Sequence, residues 1–252
     1  MWHVGVDENG LGPRLGPLVA TAAAFAWPEG KDTGHWLEMG KRLGVDDSKA
    51  TAAFGKVALA ESLALAAHLR LRGAPARDFD ALLEGLGLDA PSRLRARCPA
   101  SSEAQCWSRP LPLPCFGGDV DRGEEILERL AKQGVHLRWV RSAQACTGAL
   151  NDALQEGRNR LQMDLELFER LVIEARSSAG EDLEAICGMV GGLRRYLPRL
   201  RHIDAARASI TREQGGVCAY RVEGVGSLSF EVDADAGHLP VAFASMIGKY
   251  VR

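Results

Sequence analysis

The amino-acid sequence predicts an α/β fold whose sheet mixes strand directions, and three observations lead there. The chain opens with two apolar runs, WHVGV at residues 2–6 and PLVATAAAFAW from Pro17, joined by a glycine- and proline-rich loop; this is the pattern of a hairpin-like pair of strands. Beyond them, helical and extended patterns alternate to the end of the chain, as they do where helices pack on a sheet. No internal repeat of about 20 to 50 residues is visible, which sets solenoids and propellers aside.

The individual elements follow from local pattern. DDSKATAAFGKVALAESLALAAHLRL places alanine and leucine at helical spacing behind polar residues able to cap, predicting a helix over 48–71. From residue 73 to residue 118 the chain turns proline-rich and irregular, with one short helix predicted over 79–86. DRGEEILERLAKQG predicts a helix ending at Gly134, and VHLRWV alternates as a strand. In TGALNDALQEGRNRLQMDLELFERLVIEAR, Leu150, Leu154, Leu161, Leu165, Phe168, Val172 and Ala175 mark one apolar face, so a single long helix is expected. LEAICGMVGG predicts a buried strand, and VCAYRVEGVGSLSFEVDAD a strand, a glycine turn and a second strand. PVAFASMIGKYVR closes as a helix with Pro240 in its first turn.

With 252 residues, 46% hydrophobic and 25% charged, the chain can bury a full core, and we expect one domain over 1–252 with an insertion at about 73–118. A formal net charge of −2 provides no global positive field, so any attraction for nucleic acid rests on local basic surface. The longest apolar stretches fall short of the roughly 20 residues of a membrane span, and no basic leader precedes an apolar segment. A cytoplasmic protein with no membrane partner is expected. Cys98, Cys106, Cys115, Cys146, Cys187 and Cys218 are scattered without a C-x-x-C pair, and buried free thiols are expected in place of disulfides or a zinc site.

The chemistry concentrates in VDENGLGPRLGP, where Asp7 and Glu8 end an apolar run and a loop carrying Gly10, Gly12 and Gly16 follows. A dinucleotide fingerprint needs glycine where Leu15 stands, and a Walker loop needs Gly-Lys-Ser/Thr, so no nucleotide cofactor is expected. What remains is a loop whose glycines let the backbone approach a ligand beside two carboxylates. Neighbouring strand residues point to opposite faces. On these residues alone two readings stand: Asp7 caps the turn while Glu8 is solvated, or the pair shares a hard divalent cation that offsets its repulsion. Asp233 and Asp235, two apart, are expected on one face of an extended strand just before a helix N-terminus. They too read either as a solvated turn or, set against Asp7 and Glu8 across a sheet, as the rest of a site for one or two metal ions.

These stretches resemble a known family. VDENGLGPRLGPLVA is similar to the opening signature of ribonuclease HII, an aspartate-glutamate pair followed by a glycine loop and a Gly-Pro strand. DDSK at residues 46–49 resembles that family's Asp-Ser-Lys element, and DADAGHLPVAFASMIGKYVR its late aspartate and Ala-Ser-x-x-x-Lys helix. The matches keep the family's order and touch both ends of the chain. The resemblance implies a ribonuclease H-like mixed sheet flanked by helices, and a metal-dependent endonuclease cleaving RNA in RNA/DNA hybrids or at ribonucleotides embedded in duplex DNA. It implies Mg²⁺ or Mn²⁺ as cofactor, held by Asp7, Glu8 and Asp235 as catalytic ligands. It places Gly10, Leu11 and Gly12 along the minor groove beside a 2′-hydroxyl, and Ser48 and Lys49 against a phosphate. Nucleic acid is the partner so implied.

The sequence departs from the family at Leu11, where a basic residue is usual, and at Cys187, which stands before Gly188 where the family's middle aspartate ends a buried strand. A thiol is a soft ligand, poorly matched to Mg²⁺. Asp233 is the metal ligand the sequence offers in its stead, Glu184 lying on the strand face opposite Cys187. The family's segment after the Lys249 helix, with a sugar-packing tyrosine, has no counterpart in this sequence. These departures define the alternative reading, a catalytically impaired relative acting as a nucleic-acid-binding module. Arg194, Arg195, Arg199, Arg201, Arg207 and Arg212, within about one helix-sized stretch, read as phosphate contacts or as a solvated face. His238 reads as a proton-transfer group or a plain loop residue. Trp139 is expected in the core, while Trp107 and Tyr196 are candidates to stack on bases.

Overall fold

The computed structural model describes residues 1–12, 16–28, 33–46, 56–96 and 111–252. Among these, seven strands form one sheet in the order β3-β2-β1-β4-β7-β6-β5. They are β1 (His3–Asn9), β2 (Leu18–Ala26), β3 (His136–Ala145), β4 (Leu183–Gly188), β5 (Ala208–Gln214), β6 (Val217–Val222) and β7 (Gly226–Glu231). β2 is antiparallel to β1 and β3, β4 is parallel to β1 and to β7, and β6 and β5 turn back antiparallel. The α/β class with strands of both directions is the one the sequence predicts.

The helices are α1 (Thr33–Arg42), α2 (Ala58–Arg72), α3 (Phe79–Leu86), α4 (Pro91–Ala96), α5 (Val120–Lys132), α6 (Thr147–Gln155), α7 (Arg160–Ala179), α8 (Ala234–Gly237) and α9 (Leu239–Val251). None of the described helices is long and apolar enough to cross a membrane. β2 reads LVATAAAFA without polar alternation because both its faces are covered. Leu18, Ala20, Ala22 and Ala24 join Phe168 and Leu171 of α7 in one core; Ala23 and Phe25 join Leu63 of α2 and Phe243 of α9 in the other.

α9 is buried along nearly its whole length, as a helix hydrophobic all round must be. It approaches β1 closely because Gly5 has no side chain: a Cβ there would lie 2.1 Å from the Val241 amide nitrogen. Near its other end, a Cβ on Gly248 would lie 2.5 Å from Asn9 Nδ2 and 2.9 Å from Thr21 Oγ1. Two glycines, one on each element, thus set the helix directly on the central strands.

Several sequence expectations are corrected. α2 starts at Ala58, while residues 47–55 lie outside the described residues, and it ends where Gly73 takes φ +73° and its N–H caps Leu69. The long helix predicted from residue 147 is two helices, broken at Gly157 (φ +77°) and restarted by Asn159, which forms a capping box with Gln162. β5 lies at the sheet edge with its residues mostly exposed, so no apolar alternation marks it. The arginine-rich stretch, for which the sequence predicts no element, forms two 3₁₀ turns, Leu197–Arg199 and Ala205–Arg207, and enters β5. Three of its arginines are paired, Arg195 with Glu213, Arg201 with Glu166 and Arg207 with Glu223. Tyr196 is fully buried and stacks on Phe230 at 3.7 Å between ring centroids, so it is not a base-stacking platform. Trp139 is core as expected, and Trp107, Cys98 and Cys106 lie outside the described residues. Cys146, Cys187 and Cys218 are buried free thiols, but Cys115 is exposed.

Within the 73–118 stretch, α3 occupies the predicted residues, and the segment near residue 115 is anchored by a buried carboxylate. Glu61 of α2 accepts the backbone N–H groups of Cys115 (2.7 Å), Phe116 (2.8 Å) and Gly118 (2.7 Å), and the Tyr250 hydroxyl at 3.1 Å. Burial by itself raises this carboxyl's pKa; the N–H groups of Cys115, Gly118 and Phe116 outweigh it and hold the group below its ordinary 4.5. A pKa lowered by folding contributes stability that is present above the unfolded value and lost as pH falls through the folded one. Glu61→Gln is therefore expected to lose about 1 to 3 kcal/mol at pH 7. Urea denaturation from pH 7 to pH 3 should show a smaller acid loss in the variant than in the parent.

Candidate functional site

β1, β4 and β7 run parallel, and their carboxyl ends meet at one edge of the sheet, the place where open α/β sheets bind ligands. A cleft of about 510 Å³ lies there, walled by Asp7 and Glu8 of β1, Glu231 of β7, Asp233 and Asp235 beyond it, and Lys249 of α9. The close seating of α9 on β1 brings Ser245 beside Asp7, whose carboxylate accepts the hydroxyl's hydrogen bond. Gly188 at the end of β4 leaves room for that carboxylate, since a Cβ there would sit 2.7 Å from Asp7 Oδ1.

Glu8 turns the other way, as strand alternation requires, and its Oε2 accepts the Leu11 N–H at 3.1 Å. The acid that holds the turn is thus Glu8, the reverse of the capping reading made from sequence. Gly10 takes φ +113°, and its carbonyl accepts Arg160 Nη2 at 2.7 Å. Arg252 closes over the same loop and donates from Nε to the Pro17 carbonyl at 3.1 Å. Leu11 packs on the core beneath, while among the described residues nothing lies within 4 Å of where a Cβ on Gly12 would be. Residues 13–15 and the pair Ser48 and Lys49 lie outside the described residues.

Asp233 and Asp235 do not share a strand face. β7 ends at Glu231; Asp233 is exposed in the left-handed region at φ +50°, and Asp235 sits in the first turn of α8. A left-handed aspartate is a turn device, its short polar side chain tolerating what a branched residue would not. The pair still borders the cleft, because the turn folds back over the end of β7.

Neither a protein-family model nor a curated protein matches this chain. Among solved structures it is similar to the crystal structure of the ribonuclease H2 from Pyrococcus horikoshii OT3. That match has 15% identity, covers 100% of this chain and 72% of that one, and has a TM-score of 0.41.

The acids differ sharply in how their charge is supported. Asp7 is pushed up to about 7, first by burial and then by the charges of Asp235 and Glu8, with the Ser245 hydrogen bond opposing. Glu231 is held below its ordinary value, chiefly by His238, whose Nε2 lies 2.9 Å from Oε2; Ser229 adds a second hydrogen bond at 2.8 Å. His238 therefore serves a carboxylate of the cleft wall. Cys187 is fully buried, and burial together with the charges of Glu231, Asp7 and Asp164 keeps it a protonated thiol.

Asp164 and Glu231 are the acids that sequence reading missed. Asp164 sits on the buried face of α7, and burial with the charges of Glu8 and Asp7 raises its pKa well above the carboxylate range. Its signal was an acid three residues after Leu161, on the apolar stripe itself. Glu231 had no such signal beyond ending a strand that pairs with β4, opposite Gly188.

Among the described residues no group of three or more His, Cys, Asp or Glu side chains stands together as a metal site. The donor chemistry nevertheless suits a hard divalent cation, with carboxylate oxygens facing one cleft and one of them, on Asp7, unsettled by its neighbours. Asp7→Asn removes that repulsion. We expect it to stabilise the protein in chelator at pH 8 by about 1 to 3 kcal/mol, measured by urea denaturation. Added Mn²⁺ should stabilise the parent and leave the variant unchanged.

Proposed function

We propose that this chain is a ribonuclease HII-type endonuclease, dependent on Mg²⁺ or Mn²⁺, that cleaves RNA in RNA/DNA hybrids or at ribonucleotides embedded in duplex DNA. One observation supports this most. Residues 7–12 and 235–249, which carry the first and last stretches of the family resemblance, come from opposite ends of the chain and face each other across a single cleft. Chance similarity of short motifs gives no reason for that convergence.

In this reading Asp7, Glu8 and Asp235 hold the metal, with Asp233 at the rim. Such ions, when bound, stabilise charge on the scissile phosphate and lower the pKa of an attacking water. The chain's own residues do the rest. Ser245 fixes the Asp7 carboxylate, and Lys249 gives the acidic cleft a positive charge toward a phosphate. Among the described residues nothing crowds Gly12, which leaves a sugar edge carrying a 2′-hydroxyl room to approach its backbone. Glu8, Arg160 and Arg252 hold the loop that presents it. The same reading gives Ser48 and Lys49 a phosphate contact, treats residues 1–252 as one domain with an insertion near 73–118, and places the protein in the cytoplasm.

The second reading, a nucleic-acid-binding relative with impaired chemistry, is favoured by Cys187, a protonated buried thiol where the family carries an acid. One assay separates the two: a labelled duplex with a single ribonucleotide, incubated with Mg²⁺ or Mn²⁺. The nuclease reading expects metal-dependent cutting that falls at least about 100-fold in Asp7→Asn. Salt-sensitive binding without cutting in either metal would establish the binding module instead.

A further inference from the structure

Among the described residues four carboxylates are buried on the scale of whole residues: Glu61, Asp89, Asp164 and Glu169. Three are fully provided for. Glu61 takes three backbone N–H groups and a tyrosine hydroxyl. Glu169 takes the N–H groups of Arg201, His202 and Ile203. Asp89 is bound by Arg170 at 3.0 Å and faces Arg93 at 3.4 Å. Asp164 is 0% exposed, and neither of its oxygens has a hydrogen-bond partner.

A buried acid with unsatisfied oxygens calls for a specific cause, since an apolar residue or asparagine there would cost the fold less. Its surroundings supply one. Asp164 feels the negative charge of Glu8 and Asp7. Arg160, one turn earlier on the helix, lends some positive charge while donating to the Gly10 carbonyl. On the neighbouring strand Cys187 is close enough to feel Asp164, yet offers no charge of its own to a cation. A divalent cation held beside Glu8 and Asp7 would give those orphaned oxygens a partner, taking the place of the proton that burial favours there.

We infer that Asp164 is a fourth carboxylate of the cation site beside Asp7, Glu8 and Asp235, contributed from helix α7 in place of an acid at the end of β4. This inference rests on the metal-dependent reading above and names a member of its ligand set that neither motif nor strand position indicates. It also assigns Asp233, exposed at the rim, no necessary part in holding the ion.

The test is Mn²⁺ titration, by calorimetry and by the electron paramagnetic resonance signal of free Mn²⁺, on the full chain and on Asp164→Asn, Asp164→Glu and Asp233→Asn. Circular dichroism and melting in chelator check the fold of each. The expected result is that Asp164→Asn folds, melts higher in chelator, and binds Mn²⁺ at least about tenfold more weakly, while Asp164→Glu recovers part of that loss and Asp233→Asn changes little. Wild-type Mn²⁺ affinity in Asp164→Asn would overturn the inference and leave the metal reading standing. Should Asp164→Asn fail to fold, Asp164→Ser takes its place, and wild-type Mn²⁺ affinity in that variant would overturn the inference as well. No Mn²⁺ binding by the parent chain would sink the metal reading, and this inference with it.

Discussion

The whole arrangement depends on how closely α9 lies on β1. Gly5 lets the helix backbone come within what a Cβ could not tolerate, and Gly248 does the same against Asn9 and Thr21. Because cores pack at crystal-like density, such an approach fixes the helix in translation and rotation together. Ser245 and Lys249 then have no choice of position: they stand at the carboxyl end of the central strand, against an aspartate 238 positions earlier than Ser245 in the chain. Long-range convergence of this kind is bought with glycine, whose missing side chain is the only dimension in which the two elements can gain contact.

The same seating explains the electrostatics. A helix apolar on every side drives water from the base of the cleft, and the Asp7 carboxyl is left with the Ser245 hydroxyl, the Glu8 N–H, little solvent and two negative neighbours. Elsewhere the chain satisfies buried carboxylates with backbone N–H groups, as at Glu61 and Glu169, and those sites serve to fasten loops. Glu231 is treated similarly by His238 and Ser229. Asp7 and Asp164 are not. Carboxyls left without such support at one edge of the sheet, in a chain that supplies it so thoroughly in other places, are what a fold that gives up stability for a ligand would show.

What could be read from the sequence was whatever local pattern controls. β1, β2, β4, β6, β7 and the α3 span were legible because apolar runs and turn residues announce them, and Pro240 marks the start of α9. β5 was not, since an exposed edge strand has no buried face to imprint on its residues. The break between α6 and α7 was hidden because leucines continue in step across Gly157 and Asn159. The candidate site was partly legible: Asp7, Glu8 and Asp235 could be named, but their directions could not. Asp233 was expected to share a strand face with Asp235, and the chain leaves the strand two residues before it. Asp164 stayed out of view because its neighbours along the helix are leucines, and only the tertiary fold places it beneath another element's acids.

Strand alternation sets what a cation held by Asp7 and Glu8, as proposed, would require. Adjacent residues of one strand must point to opposite faces, so the Asp7 and Glu8 side chains leave the sheet in opposite directions. Asp7 meets Ser245 and the charge of Asp235 on the α9 side; Glu8 turns toward the Gly10 loop and α7. In the proposed site, a cation shared by the pair would sit at the sheet's edge, open to donors from either layer. On one side Asp235 borders the cleft from the turn before α9, and on the other, among the described residues, α7 and the end of β4 lie near. With a buried thiol at the end of β4, Asp164 of α7 is the acid whose unpartnered oxygens the proposed ion would take up. A site built on a Asp-Glu pair is thus constrained in the sum of its charges more than in which neighbouring element supplies them.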